Sequence, residues 1–161
     1  MARIARCVLG LLAFPMLLTA CRVEIEPDED TGLEPAVQAM LDRSASDWNR
    51  GDLDAFLSDY QDVASTTFVS SEGLLTGVDE IRRHYAFAFE PGAARDSLRF
   101  ESVHVRSLSP MIGIVTARWV LHDDGVTVAA GPMTLVMRRT QAGWRITHDH
   151  SSADPATAGS D

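Results

Sequence analysis

The stretch MIGIVTARWVLH, residues 111–122, carries Ile112, Ile114 and Val120 at one set of alternate positions and Met111, Val115, Trp119 and Leu121 at the other. In an extended chain alternate residues point to opposite faces, so this strand is apolar on both. Such a strand has to be covered on both sides. A chain of 161 residues has room for one ordinary core, and helices can cover one face of its sheet. The other face is expected to be covered by a second copy of the chain, making a homodimer through the outer sheet face.

The flanking segments supply the rest of the sheet. LRFESVHVRSL, VTVAAGPMTLVMRRT and GWRITHDHSS are strand-like and are separated from one another by Ser-Pro, Asp-Asp-Gly and Gln-Ala-Gly turns. Upstream the period changes. Leu33, Val37, Met40, Leu41, Ala45 and Trp48 recur at helical spacing, with Pro35 where a first turn tolerates it, and the pattern breaks near Gly51. Leu53, Phe56, Leu57 and Tyr60 form a second, short helical face. Ser65 to Gly77 reads as a strand or short hairpin. Thr76 and Asp79 resemble a capping box ahead of a third helix that buries Val78, Ile81, Tyr85 and Phe89 and ends near Pro91. Helices first and an antiparallel meander afterwards specify an α+β domain, residues 33–152, with three N-terminal helices stacked on a curled antiparallel sheet.

The two cysteines lie outside that domain. MARIARCVLGLLAFPMLLTAC begins with Arg3 and Arg6, continues through an apolar run from Cys7 to Leu18, and ends in small residues before Cys21. The run is shorter than the roughly 20 residues of a membrane-crossing helix, so residues 1–20 read as a secretory signal peptide. Leu18-Thr19-Ala20-Cys21 resembles the bacterial lipobox, which implies that Cys21 becomes the lipid-bearing first residue of the mature chain. Arg22 stands where an inner-membrane retention signal places Asp, so the expected address is the outer membrane, facing the periplasm. Loss of Arg3 and Arg6 takes the formal charge from −9 to −11, which disfavours nucleic acid as a partner. Residues 21–32 read as an acidic tether and 153–161 as a flexible tail. Every basic residue is Arg, which carries no functional reading.

Trp48 with Gly51-Asp52, the Gly73–Gly77 segment before the third helix, and Gly143-Trp144-Arg145-Ile146 running into His148-Asp149-His150-Ser151 resemble the nuclear transport factor 2-like superfamily, in its SnoaL-like and kinase-association-domain branches. The resemblance covers residues 33–152. It implies a cone in which a bent sheet and three helices enclose a pocket, and dimerisation through the outer sheet face. The superfamily holds isomerases, dehydratases, cyclases and non-catalytic assembly hubs, so the fold does not choose the function.

The residues that could carry chemistry are few. On a regular strand His148 and His150 share the face of Trp144 and Ile146. His150 is then expected to line or close the pocket and His148 to play the more structural part. The bland alternative is that both rings are buried and merely hold the end of the sheet. No third or fourth ligand accompanies them, so no metal and no cofactor is expected. Arg118, mid-strand among apolar neighbours, needs a partner or water; alternation sets it opposite Trp119 without saying which of the two faces inward, and the inward placement is preferred over one at the dimer interface. Trp48, Tyr60, Phe68 and Tyr85, with His148 and His150, form the candidate ligand-binding set. Asp47 and His84 flank it. No phosphate loop or nucleophile elbow is present. The leading expectation is an envelope-tethered small-ligand or partner-binding module without catalysis. The alternative is a cofactor-free isomerase, dehydratase or cyclase in which His150 moves a proton and Arg118 or Tyr85 steadies negative charge.

Overall fold

The computed structural model describes residues 32–155 apart from residue 94. The leader, Cys21 and the chain beyond residue 155 lie outside the described residues.

Helix α1 (Leu33–Arg50) buries Leu33, Val37, Met40, Leu41 and Trp48 along one stripe. It stops because Gly51 takes the left-handed conformation, φ 76°, from which its N–H bonds back to the carbonyls of Asp47 and Trp48. The next residue starts a new helix: the Asp52 carboxylate accepts the N–H of Ala55 at 3.0 Å and caps α2 (Leu53–Leu57), a contact worth about 0.5–2 kcal/mol. One Gly-Asp dipeptide thus ends one helix and begins the next.

Strands β1 (Thr67–Ser70) and β2 (Gly73–Thr76) form a hairpin. Helix α3 (Val78–Tyr85) follows and tightens into a 3-10 turn at Ala86–Phe89. The cap of α3 differs from the expected one. Gly77 is the first flanking residue, so the third helical position is Glu80, and it is the Glu80 carboxylate rather than Asp79 that reaches back to the Thr76 N–H, at 2.8 Å. Four long strands complete the chain: β3 (Ser97–Ser109), β4 (Ile112–Asp123), β5 (Val126–Thr140) and β6 (Gly143–Ser151).

The sheet runs β2-β1-β6-β5-β4-β3. It is antiparallel except where β1 lies parallel to β6, pairing Thr67 with His148 and Val69 with His150. Parallel neighbours need a long crossover, and here the whole segment from β2 to β5 serves as one. The sheet curls without closing. Irregular pairing in β3 near Ser102, whose φ is 51°, at Leu121/His122 in β4, and at Val136/Met137 opposite β6 supplies the bends.

Towards the helices the sheet presents Val115, Ala117, Leu135 and Met137, all buried against α1 and α2 in one cluster. Each fully buried aliphatic side chain of this kind contributes about 1.5–3 kcal/mol. Leu33 lies so close over Gly113 that a Cβ there would collide with it.

Past β6 the chain does not fray at once, as the composition of residues 153–161 suggests. The Ser152 N–H bonds to Pro132 O at 3.2 Å and the Asp154 N–H to Ala130 O at 2.8 Å, so the segment straps itself along β5. Its carbonyl at Ser152 accepts the Trp119 indole N–H at 3.2 Å. Gly131 makes the approach feasible, since any Cβ there would run into the Ser152 backbone. Gly131→Ala is therefore expected to lift the strap from β5 and to cost about 1–3 kcal/mol, the usual penalty of overpacking. Chemical denaturation would measure the loss, and Trp119 fluorescence would report the freed indole.

Candidate functional site

Between the helices and the sheet lies a cavity of about 320 Å³. Its walls are mostly aromatic and aliphatic, and it opens where the exposed β1–β2 tip, Ser71 and Glu72, faces the exposed ring of Phe87. This is the low end of the range for small-molecule pockets, about 300–1,000 Å³.

One wall is an aromatic cluster assembled from four elements. Trp48 of α1 meets Phe56 of α2 edge-on at 5.5 Å between centroids, Phe56 meets Tyr85 of α3 at 5.1 Å, and Tyr85 meets Phe68 of β1 at 5.6 Å. Edge-to-face pairs of this kind add about 0.5–1.5 kcal/mol each beyond their burial. They hold the three helices and the hairpin in one arrangement around the space.

The opposite wall depends on a single extra residue in β6. Met137 pairs with Ile146, but Val136 pairs with His148, so Thr147 has no partner across the ladder and forms a bulge. A shift of one residue exchanges the two faces of a strand. Before the bulge Trp144 and Ile146 face the core; after it Asp149 and Ser151 do, and both line the cavity. His148 and His150, placed on the inner face by simple alternation, are carried to the other side. The His148 Nδ1 lies 2.8 Å from the Thr67 hydroxyl on neighbouring β1, and His150 is exposed. Neither borders the cavity among the described residues, which corrects the expectation that His150 lines the pocket and removes it as the proton carrier.

Arg118 is also corrected. It lies on the outer face of β4, its side chain 39% exposed, and its guanidinium pairs with Asp154 of the strap. Trp119, its neighbour, is the residue that points to the cavity. The guanidinium avoids the burial cost by facing water and a carboxylate. Of the other residues singled out from sequence, Trp48, Tyr60, Phe68, Tyr85 and His84 line the cavity, whereas Asp47 pairs with Arg50 at 2.6 Å outside it.

The chemical centre is Asp149, which the sequence reading passed over. It is 5% exposed; one carboxylate oxygen accepts the Tyr60 hydroxyl at 2.6 Å and the other accepts the Ser151 hydroxyl at 2.7 Å. The Tyr85 hydroxyl in turn meets that of Tyr60. Burial raises the Asp149 pKa above the ordinary 3.8, against the opposing pull of Tyr60, Ser151, His148 and His150. Burial likewise pushes Tyr60 and Tyr85 upward, so both phenols stay protonated. A buried carboxyl hydrogen-bonded to a phenol beside an apolar cavity can bind a polar group or move a proton. A second buried carboxylate, Asp59, lines the cavity too; Arg43 holds one of its oxygens at 2.6 Å and the other has no hydrogen-bond partner. Near the mouth the His84 Nδ1 sits 3.2 Å from Glu72.

Because the folded pKa of Asp149 lies above the unfolded one, its contribution to stability is complete below 3.8 and is lost as pH rises through the folded value. Asp149→Asn keeps the shape and an oxygen for the Tyr60 hydroxyl. The variant is expected to be at least as stable as the parent at neutral pH, with its advantage shrinking to nothing as pH falls towards 3.8. Denaturation midpoints measured across that interval decide the point.

The described geometry agrees with known proteins. The model of the SnoaL-like domain matches residues 37–156. No protein of curated function matches the chain. A protein of unknown function from Shewanella oneidensis, described as NTF-2 like, is 29% identical over 73% of this chain and 97% of its own, with a TM-score of 0.65. A Streptomyces avermitilis protein provisionally named a dehydratase of the NTF2-like family is 24% identical over 74% and 94%, TM-score 0.60. A Xanthomonas campestris protein, provisionally named a calcium/calmodulin dependent protein kinase II association domain, is 17% identical over 74% and 86%, TM-score 0.58. With the family model spanning most of the chain and the same cone-shaped α+β fold in these structures, the chain belongs to the SnoaL-like domain family, within the NTF2-like superfamily.

Proposed function

We propose that this protein binds a small, largely apolar molecule in the cavity, with the Tyr60–Asp149 pair fixing the one polar group of that molecule, and that it does so as an envelope lipoprotein held by Cys21. The observation that carries the reading is the buried carboxyl–phenol contact of 2.6 Å beside an open apolar space. Trp48, Phe68 and Tyr85 border that space rather than fill it, which favours a small ligand over a protein partner. The half-buried Ile112 and Ile114 on the outer sheet face support a homodimer formed there.

A ligand of this cavity stabilises the fold by mass action, about 2.7 kcal/mol at a hundredfold excess over its Kd. Thermal denaturation against a panel of neutral single-ring and bicyclic compounds is expected to find stabilising members. Leu121→Trp, which pushes an indole into the space Leu121 borders, should abolish their effect. A panel without stabilising members, or one indifferent to Leu121→Trp, rejects the reading.

The second reading is cofactor-free proton transfer, as in an isomerase, dehydratase or cyclase, and the same contact favours it. Asp149 is the proton carrier in this reading, with Tyr60 holding it in place. The naming of one structural neighbour as a dehydratase is consistent with that class. Solvent deuterium exchanged into a bound ketone, and lost in Asp149→Asn, would establish it; no exchange leaves binding alone.

The anchor has its own test. Cys21→Ser is expected to move the protein from the membrane fraction to the soluble periplasmic fraction, and retention in the membrane would reject lipid attachment.

A further inference from the structure

The hydrogen-bonding groups of the cavity favour some ligand classes over others. The Trp48 indole N–H is committed to Asp96 O at 2.9 Å and that of Trp119 to Ser152 O. The Tyr60 and Ser151 hydroxyls are both spent on Asp149. The Tyr85 hydroxyl lies against that of Tyr60. No Lys or Arg is among the described residues that line the cavity. These indole and phenol donors are therefore engaged within the protein, and the remaining side-chain donors of the lining are serine hydroxyls and the His84 ring.

What remains uncommitted is acceptor capacity. Each Asp149 oxygen accepts one hydrogen bond and keeps a lone pair, and the inner Asp59 oxygen is buried with no partner at all. The two carboxylates differ in charge compensation. Asp59 is paired with Arg43, whereas Asp149 is held by hydroxyls, with no cationic side chain in salt-bridge contact among the described residues. The cavity it borders is also lined by the rings of Tyr60, Phe68, Tyr85 and Trp119, and aromatic rings attract cations, the more so where water is excluded. The chain as a whole carries a formal charge of −9, a field that draws cations inward and repels anions.

Resting on the reading of this cavity as a small-molecule site, we infer that its ligand is an organic ammonium ion, a protonated amine on a compact apolar body whose N–H groups donate to Asp149. Carboxylate-bearing molecules are refused. A cation supplies the positive charge that no Lys or Arg of the described lining provides and N–H donors for the open Asp149 lone pairs, while its apolar body replaces the water that the aromatic walls hold poorly.

Three probes with one ring and different heads test this on the full chain: benzylamine, which is protonated at neutral pH, benzyl alcohol and benzoate, titrated by calorimetry and by Trp fluorescence. Benzylamine is expected to bind about tenfold or more tighter than benzyl alcohol, with benzoate weakest. Asp149→Asn should remove that preference, weakening benzylamine about tenfold or more beyond its effect on benzyl alcohol. Tighter or equal binding of benzyl alcohol or benzoate by the parent protein overturns the ammonium inference and leaves the small-molecule reading standing. Failure of all three to bind, or binding indifferent to Leu121→Trp, overturns both. The ranking in the parent protein decides the matter even where Asp149→Asn fails to fold. A folded Asp149→Asn that keeps the amine preference rejects Asp149 as the counter-charge.

Discussion

The bulge at Thr147 is the constraint on which the site depends. Upstream of it β6 contributes Trp144 and Ile146 to an ordinary core; downstream it places Asp149 and Ser151 on the same inner face. Without the extra residue the strand would offer the cavity two imidazoles and send the carboxylate to the outer face of the sheet. The placement of the buried carboxyl thus follows from a defect in pairing, and bulges commonly re-aim a side chain in this way. The same residue is tied down by its hydroxyl, which bonds the Val136 carbonyl at 3.2 Å.

A carboxyl group in an aromatic cavity is costly unless its oxygens are satisfied. Tyr60 and Ser151 satisfy them without supplying charge, so Asp149 remains the strained member of the core. That contrast, an expensive group held in place by neighbours that do not neutralise it, is the physical mark of a site that acts on something else. Asp59 shows the alternative: an Arg partner at its outer edge offsets part of the burial cost.

The segment after β6 gives Arg118 its purpose. The guanidinium faces outward, yet by pairing with Asp154 it holds the strap whose Ser152 carbonyl receives the Trp119 indole. Adjacent residues on one strand therefore serve the cavity in different ways, Trp119 as wall and Arg118 as the fastening of the wall's support. Gly131 is the condition for both, because the strap crosses β5 only where no Cβ intervenes.

The sequence by itself determined the α+β class, the order of helices before strands, the Gly51-Asp52 junction and the aromatic positions Trp48, Tyr60, Phe68 and Tyr85. These are local matters of periodicity, caps and turns, and each is written within a few residues. It did not reveal Asp149. Strand alternation is a local rule, and it assigned His148 and His150 to the inner face because nothing in Arg145-Ile146-Thr147 marks a bulge. Nor did it orient Arg118, since a strand apolar on both faces reads the same from either side. Only the tertiary structure decided these points: the bulge exists because β6 must keep register with β5 on one side and β1 on the other, and the partners of Arg118 and Asp149, Asp154 and Tyr60, are 36 and 89 residues away in the chain.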